Sequence, residues 1–151
     1  MTEPFIWPEQ FHLLNRIASQ KPVVHCITNY VTARDVANLL LAAGASPIMA
    51  DHEQEVEEIA RISQALVLNL GTFKDSSLPA MIKAGKIAAS LGHPIVLDPV
   101  GVGASSLRME SALKILREVG CTSIRGNVSE IMALADRLLL KEEPLSLGEK
   151  G

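Results

Sequence analysis

The chain has 151 residues, of which 48% are hydrophobic, 21% charged and only 3% aromatic. That length and balance suit one domain with a core of Val, Ile, Leu, Ala and Met, and they exclude a disordered chain. A formal charge of -3 offers no basic field for nucleic acid or anionic lipid, and no apolar run approaches the roughly 20 residues that span a bilayer.

The first residues, with Glu3, Pro4 and Trp7, lack the basic start and apolar block of a signal peptide, so a cytoplasmic protein is expected. A helix is expected around residues 11–19. After it, one pattern recurs: a short apolar run, a polar loop, an amphipathic helix, a glycine. The apolar runs are residues 23–28, 47–50, 65–70, 94–98 and 122–125. They are nearly continuous rather than alternating, as strands buried on both faces are. Between them Val36, Leu39, Leu40 and Ala43 keep helical period, as do Met81, Ala84, Gly85 and Ala88, and then Ala112, Ile115, Leu116 and Val119. Ile131, Leu134, Ala135 and Leu138 repeat it, whereas the helix with Val56, Ile59 and Ala60 has Ser63 in the fourth place. One stripe per helix predicts one buried face packed on a sheet.

Gly44, Gly92 and Gly120 follow periodic segments, where a left-handed C-terminal cap needs glycine. Asp75, Ser76 and Ser77 before Pro79 predict a capped helix start. Strands alternating with helices predict an α/β fold, a mainly parallel sheet with helices on both faces.

Ligands of open α/β sheets bind beyond the carboxyl ends of the strands. There this chain carries Thr28-Asn29, Met49-Ala50-Asp51, Asn69-Leu70-Gly71-Thr72, Asp98-Pro99-Val100-Gly101-Val102-Gly103 and Arg125-Gly126-Asn127-Val128-Ser129-Glu130. Asp98 ends an apolar strand and directs a carboxylate to that rim, as a ligand group or as a loop hydrogen-bond acceptor. Arg125 suits phosphate through its planar fork, or a surface ion pair. Glu130 suits magnesium, or the favourable dipole of a helix start. Together these residues favour phosphoryl transfer. Gly101-x-Gly103 follows the fourth strand and lacks the third glycine of a dinucleotide fingerprint, and Gly85-Lys86-Ile87 is no Walker A loop. The histidines His12, His25, His52 and His93 show no metal spacing, and His25 reads as a satisfied core histidine. Cys26 and Cys121 match no zinc or redox spacing and read as small hydrophobes.

Five segments, in order, resemble the hydroxyethylthiazole kinase family. They are His25-Cys26-Ile27-Thr28-Asn29, Gly44-Ala45-Ser46-Pro47-Ile48-Met49-Ala50, Leu68-Asn69-Leu70-Gly71-Thr72, Leu97-Asp98-Pro99-Val100-Gly101 and Ile124-Arg125-Gly126-Asn127-Val128-Ser129-Glu130. The resemblance implies a ribokinase-like fold, of which residues 1–151 are the N-terminal portion of a single kinase domain. It implies ATP-dependent phosphorylation of the hydroxyl of 4-methyl-5-(2-hydroxyethyl)thiazole in thiamine salvage, with Mg2+ as cofactor and a homotrimer with sites between subunits. By the same resemblance Met49 and Asn29 bind the thiazole, Arg125 binds ATP, and Asp98 and Glu130 serve the metal. The family's Thr-Gly-Cys stretch, associated with activating the alcohol, has no counterpart here. The expectation is a truncated chain with no catalytic residue of its own and no turnover alone. The alternatives are an inactive small-molecule-binding fragment or another ribokinase-like vitamin-alcohol kinase.

Overall fold

In the computed structural model, residues 8–72, 74 and 76–139 are described. The elements run α1 (Pro8–Gln20), β1 (Val23–Ile27), α2 (Ala33–Ala42), β2 (Ser46–Ile48), α3 (Val56–Ile62), β3 (Ala65–Asn69), α4 (Ser77–Ser90), β4 (Ile95–Asp98), α5 (Ser106–Glu118), β5 (Ser123–Ile124) and α6 (Val128–Leu139). All five expected strands form, within one or two residues of the expected bounds.

The strands make one sheet in the order β2-β1-β3-β4-β5, and every pairing is parallel. The chain steps from β1 to β2 in one direction and adds β3, β4 and β5 in the other. Right-handed crossovers then put α2 on one face and α3, α4 and α5 on the other. Register bears this out. Leu66, Leu68, Ile95 and Leu97 enter a large core with Val56 and Ala60 of α3, Ala80 and Ala84 of α4, and Ala112 and Ile115 of α5. Val24 and Cys26 point the other way, to a smaller core with Ile17 of α1 and Val36 and Leu40 of α2.

The stripe rule holds for α4, where Met81, Ala84, Gly85 and Ala88 are all buried. It fails for α2 and α6. No residue of α2 is fully buried and Leu39 is 72% exposed, because the helix covers β1 but overhangs an open stretch of sheet. On α6 only Leu134 is buried, while Ile131 and Leu138 stay exposed. That helix follows the two-residue edge strand β5, beyond which the described residues offer no further strand to pack on.

Gly44, Gly92 and Gly120 all take left-handed backbone, as their caps require. The expected cap of α4 is different. The helix starts at Ser77 with Pro79 in its first turn, but Ser76 makes no side-chain cap bond and Asp75 lies outside the described residues. Ser77 Oγ instead accepts the Lys74 N–H at 3.4 Å. Ser63, the odd residue of the α3 stripe, is buried and its hydroxyl donates to the Ile59 carbonyl at 2.7 Å. That bond satisfies a polar atom in an apolar place.

Candidate functional site

Parallel pairing brings every strand's carboxyl end to one edge of the sheet. The direction of winding reverses between β1 and β3, which opens a crevice there. Asn29 stands just after β1 and Asn69 ends β3. The Asn29 amide donates to Asn69 Oδ1 at 3.1 Å, and the Asn69 amide donates to Asp98 Oδ2 at 3.0 Å. Arg125, just after β5, donates to the same Asp98 oxygen at 2.7 Å. One side chain from each of four strand ends thus joins a continuous row.

The row is locked at its amides. Asn69 Oδ1 also accepts the Gly71 N–H at 2.7 Å, and Asn29 Oδ1 accepts the Thr32 N–H at 2.9 Å. The Asp98 side chain is 10% exposed, whereas Arg125 is 79% exposed. Burial pushes the Asp98 carboxyl above its ordinary pKa; the Arg125 guanidinium opposes that rise, nearby Glu130 adds to it, and the Asn69 amide opposes it.

Two clefts adjoin the row. One, of about 610 Å³, runs under α2 and is lined by Val36, Leu39 and Leu40, by Val67 and Val96 of the sheet, and by the row itself. It is apolar with a few convergent polar groups, within the size of roughly 300–1,000 Å³ usual for small-molecule sites. The other, of about 420 Å³, lies between Asp98, Val100, Arg125, Asn127 and Glu130. Here Glu130 closes a capping box on α6: Asn127 Oδ1 accepts the Glu130 N–H at 3.0 Å and Glu130 Oε2 accepts the Asn127 N–H at 2.9 Å. Glu130 Oε1 reaches across to accept the Gly101 N–H at 2.8 Å, which ties α6 to the turn after β4.

The sequence profile described as the hydroxyethylthiazole kinase family matches residues 14–142. The chain belongs to that family. It is 57% identical over 122 residues to the hydroxyethylthiazole kinase of Clostridium acetobutylicum, covering 81% of this chain and 45% of that protein. It is 53% identical over 125 residues to the one of Desulfovibrio desulfuricans, covering 83% of this chain and 44% of the relative. The solved hydroxyethylthiazole kinase of Pyrococcus horikoshii superposes with a TM-score of 0.80 at 46% identity, over 83% of this chain and 49% of that one. The chain therefore spans about half the length of the relatives it matches.

Of the residues singled out from the hydroxyethylthiazole kinase resemblance, the fold brings Asn29, Asp98, Arg125 and Glu130 together. Met49 shares their edge of the sheet but follows the outer strand β2, is 40% exposed and does not line either cleft. Arg125 pairs with Asp98 and Glu130 caps α6, so the structural alternatives for both are realised. Asp98 and Glu130 nonetheless face one cleft, and Asp98 Oδ1 makes no hydrogen bond among the described residues. Two hard carboxylates fit magnesium, which takes few protein ligands and keeps waters and phosphates for the rest. No cluster of three or more His, Cys, Asp or Glu suited to a metal occurs among the described residues.

Two site residues escaped the sequence reading. Asn69 enters it only within the segment that ends the third strand, with no role of its own, and Arg108, in the first turn of α5, is not singled out at all. His25 is fully buried, but its ring is half satisfied: Nε2 pairs with the Ala50 carbonyl at 2.8 Å and Nδ1 has no partner among the described residues. Burial pushes both the Cys26 and Cys121 thiols up to about 11, so they stay protonated at neutral pH, as small hydrophobes do.

Proposed function

We propose that the chain carries part of the site of an ATP-dependent thiazole kinase, one that phosphorylates the hydroxyl of 4-methyl-5-(2-hydroxyethyl)thiazole. The observation that carries this reading is the row Asn29–Asn69–Asp98–Arg125 beside an apolar cleft, in a chain that belongs to this family. The apolar walls suit a flat heterocycle, and the charged end suits phosphate.

In this reading Asn29 orients the thiazole and Arg125 holds ATP. Asp98 and Glu130 would hold magnesium, whose contribution is charge neutralisation on the phosphate oxygens. Met49 is exposed on the β2 edge, outside the two clefts that adjoin the row. In the proposed homotrimer it completes a neighbouring subunit's pocket, where a polarisable sulfur suits the ring. Residues 1–151 form the N-terminal portion of one ribokinase-like domain in a cytoplasmic protein. The -3 charge supports the absence of a nucleic-acid partner. No helix among the described residues is long and apolar enough to cross a membrane.

The 151-residue chain by itself should not turn over, since phosphoryl transfer needs complete positioning and charge compensation. The test measures thiazole-dependent ADP release with ATP and magnesium, beside the Clostridium acetobutylicum relative under the same conditions. Calorimetry of the chain with the thiazole alcohol and with magnesium-ATP runs in parallel. Thiazole binding without turnover is expected. Turnover within tenfold of the relative would overturn the inactivity, and no binding of either ligand would overturn the site.

A further inference from the structure

The loops after β3 and β4 carry carbonyls that have left the sheet ladder and must find donors elsewhere. A single side chain supplies donors to three of them. Arg108, in the first turn of α5, is half-buried, and its own N–H is held by the Ser105 cap hydroxyl at 3.3 Å. Its Nη1 donates to the carbonyls of Leu70 and Val100, the latter at 2.7 Å, and its Nη2 donates to the Gly71 carbonyl at 2.7 Å. Leu70 and Gly71 follow β3, whereas Val100 follows β4. The guanidinium therefore staples one rim loop to the next.

These are the peptides that set the site. The Gly71 N–H fixes Asn69 Oδ1 at 2.7 Å and so leaves the Asn69 amide free to face Asp98. Gly71 also sits so close to the row that a Cβ there would lie 2.7 Å from Asn29 Cβ and 2.9 Å from Asn69 Oδ1. Val100 walls both clefts, and the next residue, Gly101, donates to Glu130. The Arg108 Cδ lies 3.5 Å from where a Gly101 Cβ would stand. Each of the two loops thus has one end on Arg108 and the other on a site side chain.

We propose that Arg108 is a positioning residue for this site: by donating to Leu70, Gly71 and Val100 it fixes the two loops that orient Asn69 and Asp98. It touches no reacting group and acts through those loops. A planar fork of five donors can hold three carbonyls at once; an ammonium cannot match the directions. The inference rests on the kinase reading only for the ligand that the loops receive.

The test uses the 151-residue chain, 15N-labelled, as wild type, Arg108→Lys and Arg108→Met. Amide exchange at Gly71 and Gly101 and the side-chain amide signals of Asn29 and Asn69 report on the loops; exchange at Leu66 and Leu97 reports on the core strands. Arg108→Met should speed exchange at Gly71 and Gly101 at least tenfold and move both asparagine signals toward free-amide positions. Leu66 and Leu97 should stay within twofold, and Arg108→Lys should fall between. Affinity for magnesium-ATP and for the thiazole alcohol, by titration, should weaken about tenfold in Arg108→Met. Unchanged loop exchange in folded Arg108→Met, or loosened loops with unchanged affinity, overturns the proposal. Equal acceleration of core and loops, or unfolding of both variants, makes Arg108 a general stability element and also overturns it. If wild type binds neither ligand, the kinase reading fails, while the exchange pattern still decides the role of Arg108.

Discussion

Asn69 and Asp98 stand opposite each other in the β3–β4 register, and the Asn69 amide donates to the Asp98 carboxylate at 3.0 Å. The pair sits where two buried parallel strands end, so its geometry is inherited from the sheet. Neighbouring strands set the spacing, and the identical register sends both side chains to one face. What the sheet does not set is which amide atom faces the acid. The Gly71 N–H does that by claiming the oxygen.

Asn69→Asp should convert this contact into a coupled acid pair. Two carboxylates at that distance cannot both ionise cheaply, so one pKa of the pair rises well above the ordinary carboxylate value. The folded state then binds a proton that the unfolded chain has already released, and stability falls as pH rises through the raised pKa. Urea unfolding at pH 3.5 and pH 8 should show the variant losing about 1–2 kcal/mol more than wild type at the higher pH, the value of roughly one pKa unit of coupling. Parallel curves for the two proteins would mean the carboxylates do not meet.

Gly71→Ala and Gly92→Ala should separate site damage from backbone strain. A Cβ at Gly71 would overlap Asn29 and Asn69, so one of the two amides must move. A loss of about 1–3 kcal/mol is expected, with a weakened ligand site. At Gly92 a Cβ meets nothing within 4 Å, but φ is +70, so only left-handed strain of about 1–2 kcal/mol remains. Thermal melts with ligand titration check both, and equal affinity in the two variants would remove Gly71 from the site.

Much of this architecture is legible before any coordinates. Nearly continuous apolar runs such as Val23 to Thr28 and Ala65 to Leu70 read as strands covered on both faces, and their loops then share one edge. That reasoning places Asn29, Asp98 and Arg125 together. It cannot find the Asn69–Asp98 bond, because that depends on register, which short buried strands do not announce. Arg108 is hidden for a similar reason: a helix arginine looks alike whether it meets water or three loop carbonyls. The α2 and α6 stripes mislead because periodicity reports an apolar face without saying how much of it the sheet reaches.

His25 should make the fold acid-sensitive. Its ring is fully buried and its pKa is lowered from 6.5, chiefly by burial, with the Ala50 carbonyl and Glu55 opposing. The carbonyl can only accept, so Nε2 carries the proton and the ring is neutral. Below pH 6.5 the unfolded chain takes up a proton that the folded chain does not, so stability falls as pH drops until the folded pKa is reached. One such proton tilts stability by at most about 1.4 kcal/mol per pH unit. His25→Gln can keep a donor to Ala50 without titrating. Wild type and variant compared by denaturant between pH 7.5 and 5 should diverge only below pH 6.5; curves that stay parallel would assign the acid loss to other groups.

Met49→Asp tests the one proposed ligand residue that stands apart from the clefts. Met49 is 40% exposed on the loop after the edge strand, so a charge there is solvated in the isolated chain. Its stability should change by no more than about 0.5 kcal/mol, the usual range for surface substitutions. If Met49 instead closes a pocket on a neighbouring subunit, assembly removes that water. The carboxylate is then held against an apolar ring at a cost of several kcal/mol, unless it takes up a proton. The thiazole alcohol should therefore lose affinity far more than magnesium-ATP, whose proposed contacts lie on Arg125, Asp98 and Glu130. Calorimetry with each ligand, beside a melt of the same sample, reads all three quantities. Thiazole loss with an unmoved melt and intact ATP binding places Met49 in the acceptor pocket. Equal loss of both ligands with a lowered melt would mean the β2 edge has unfolded, and unchanged thiazole affinity would remove Met49 from the site.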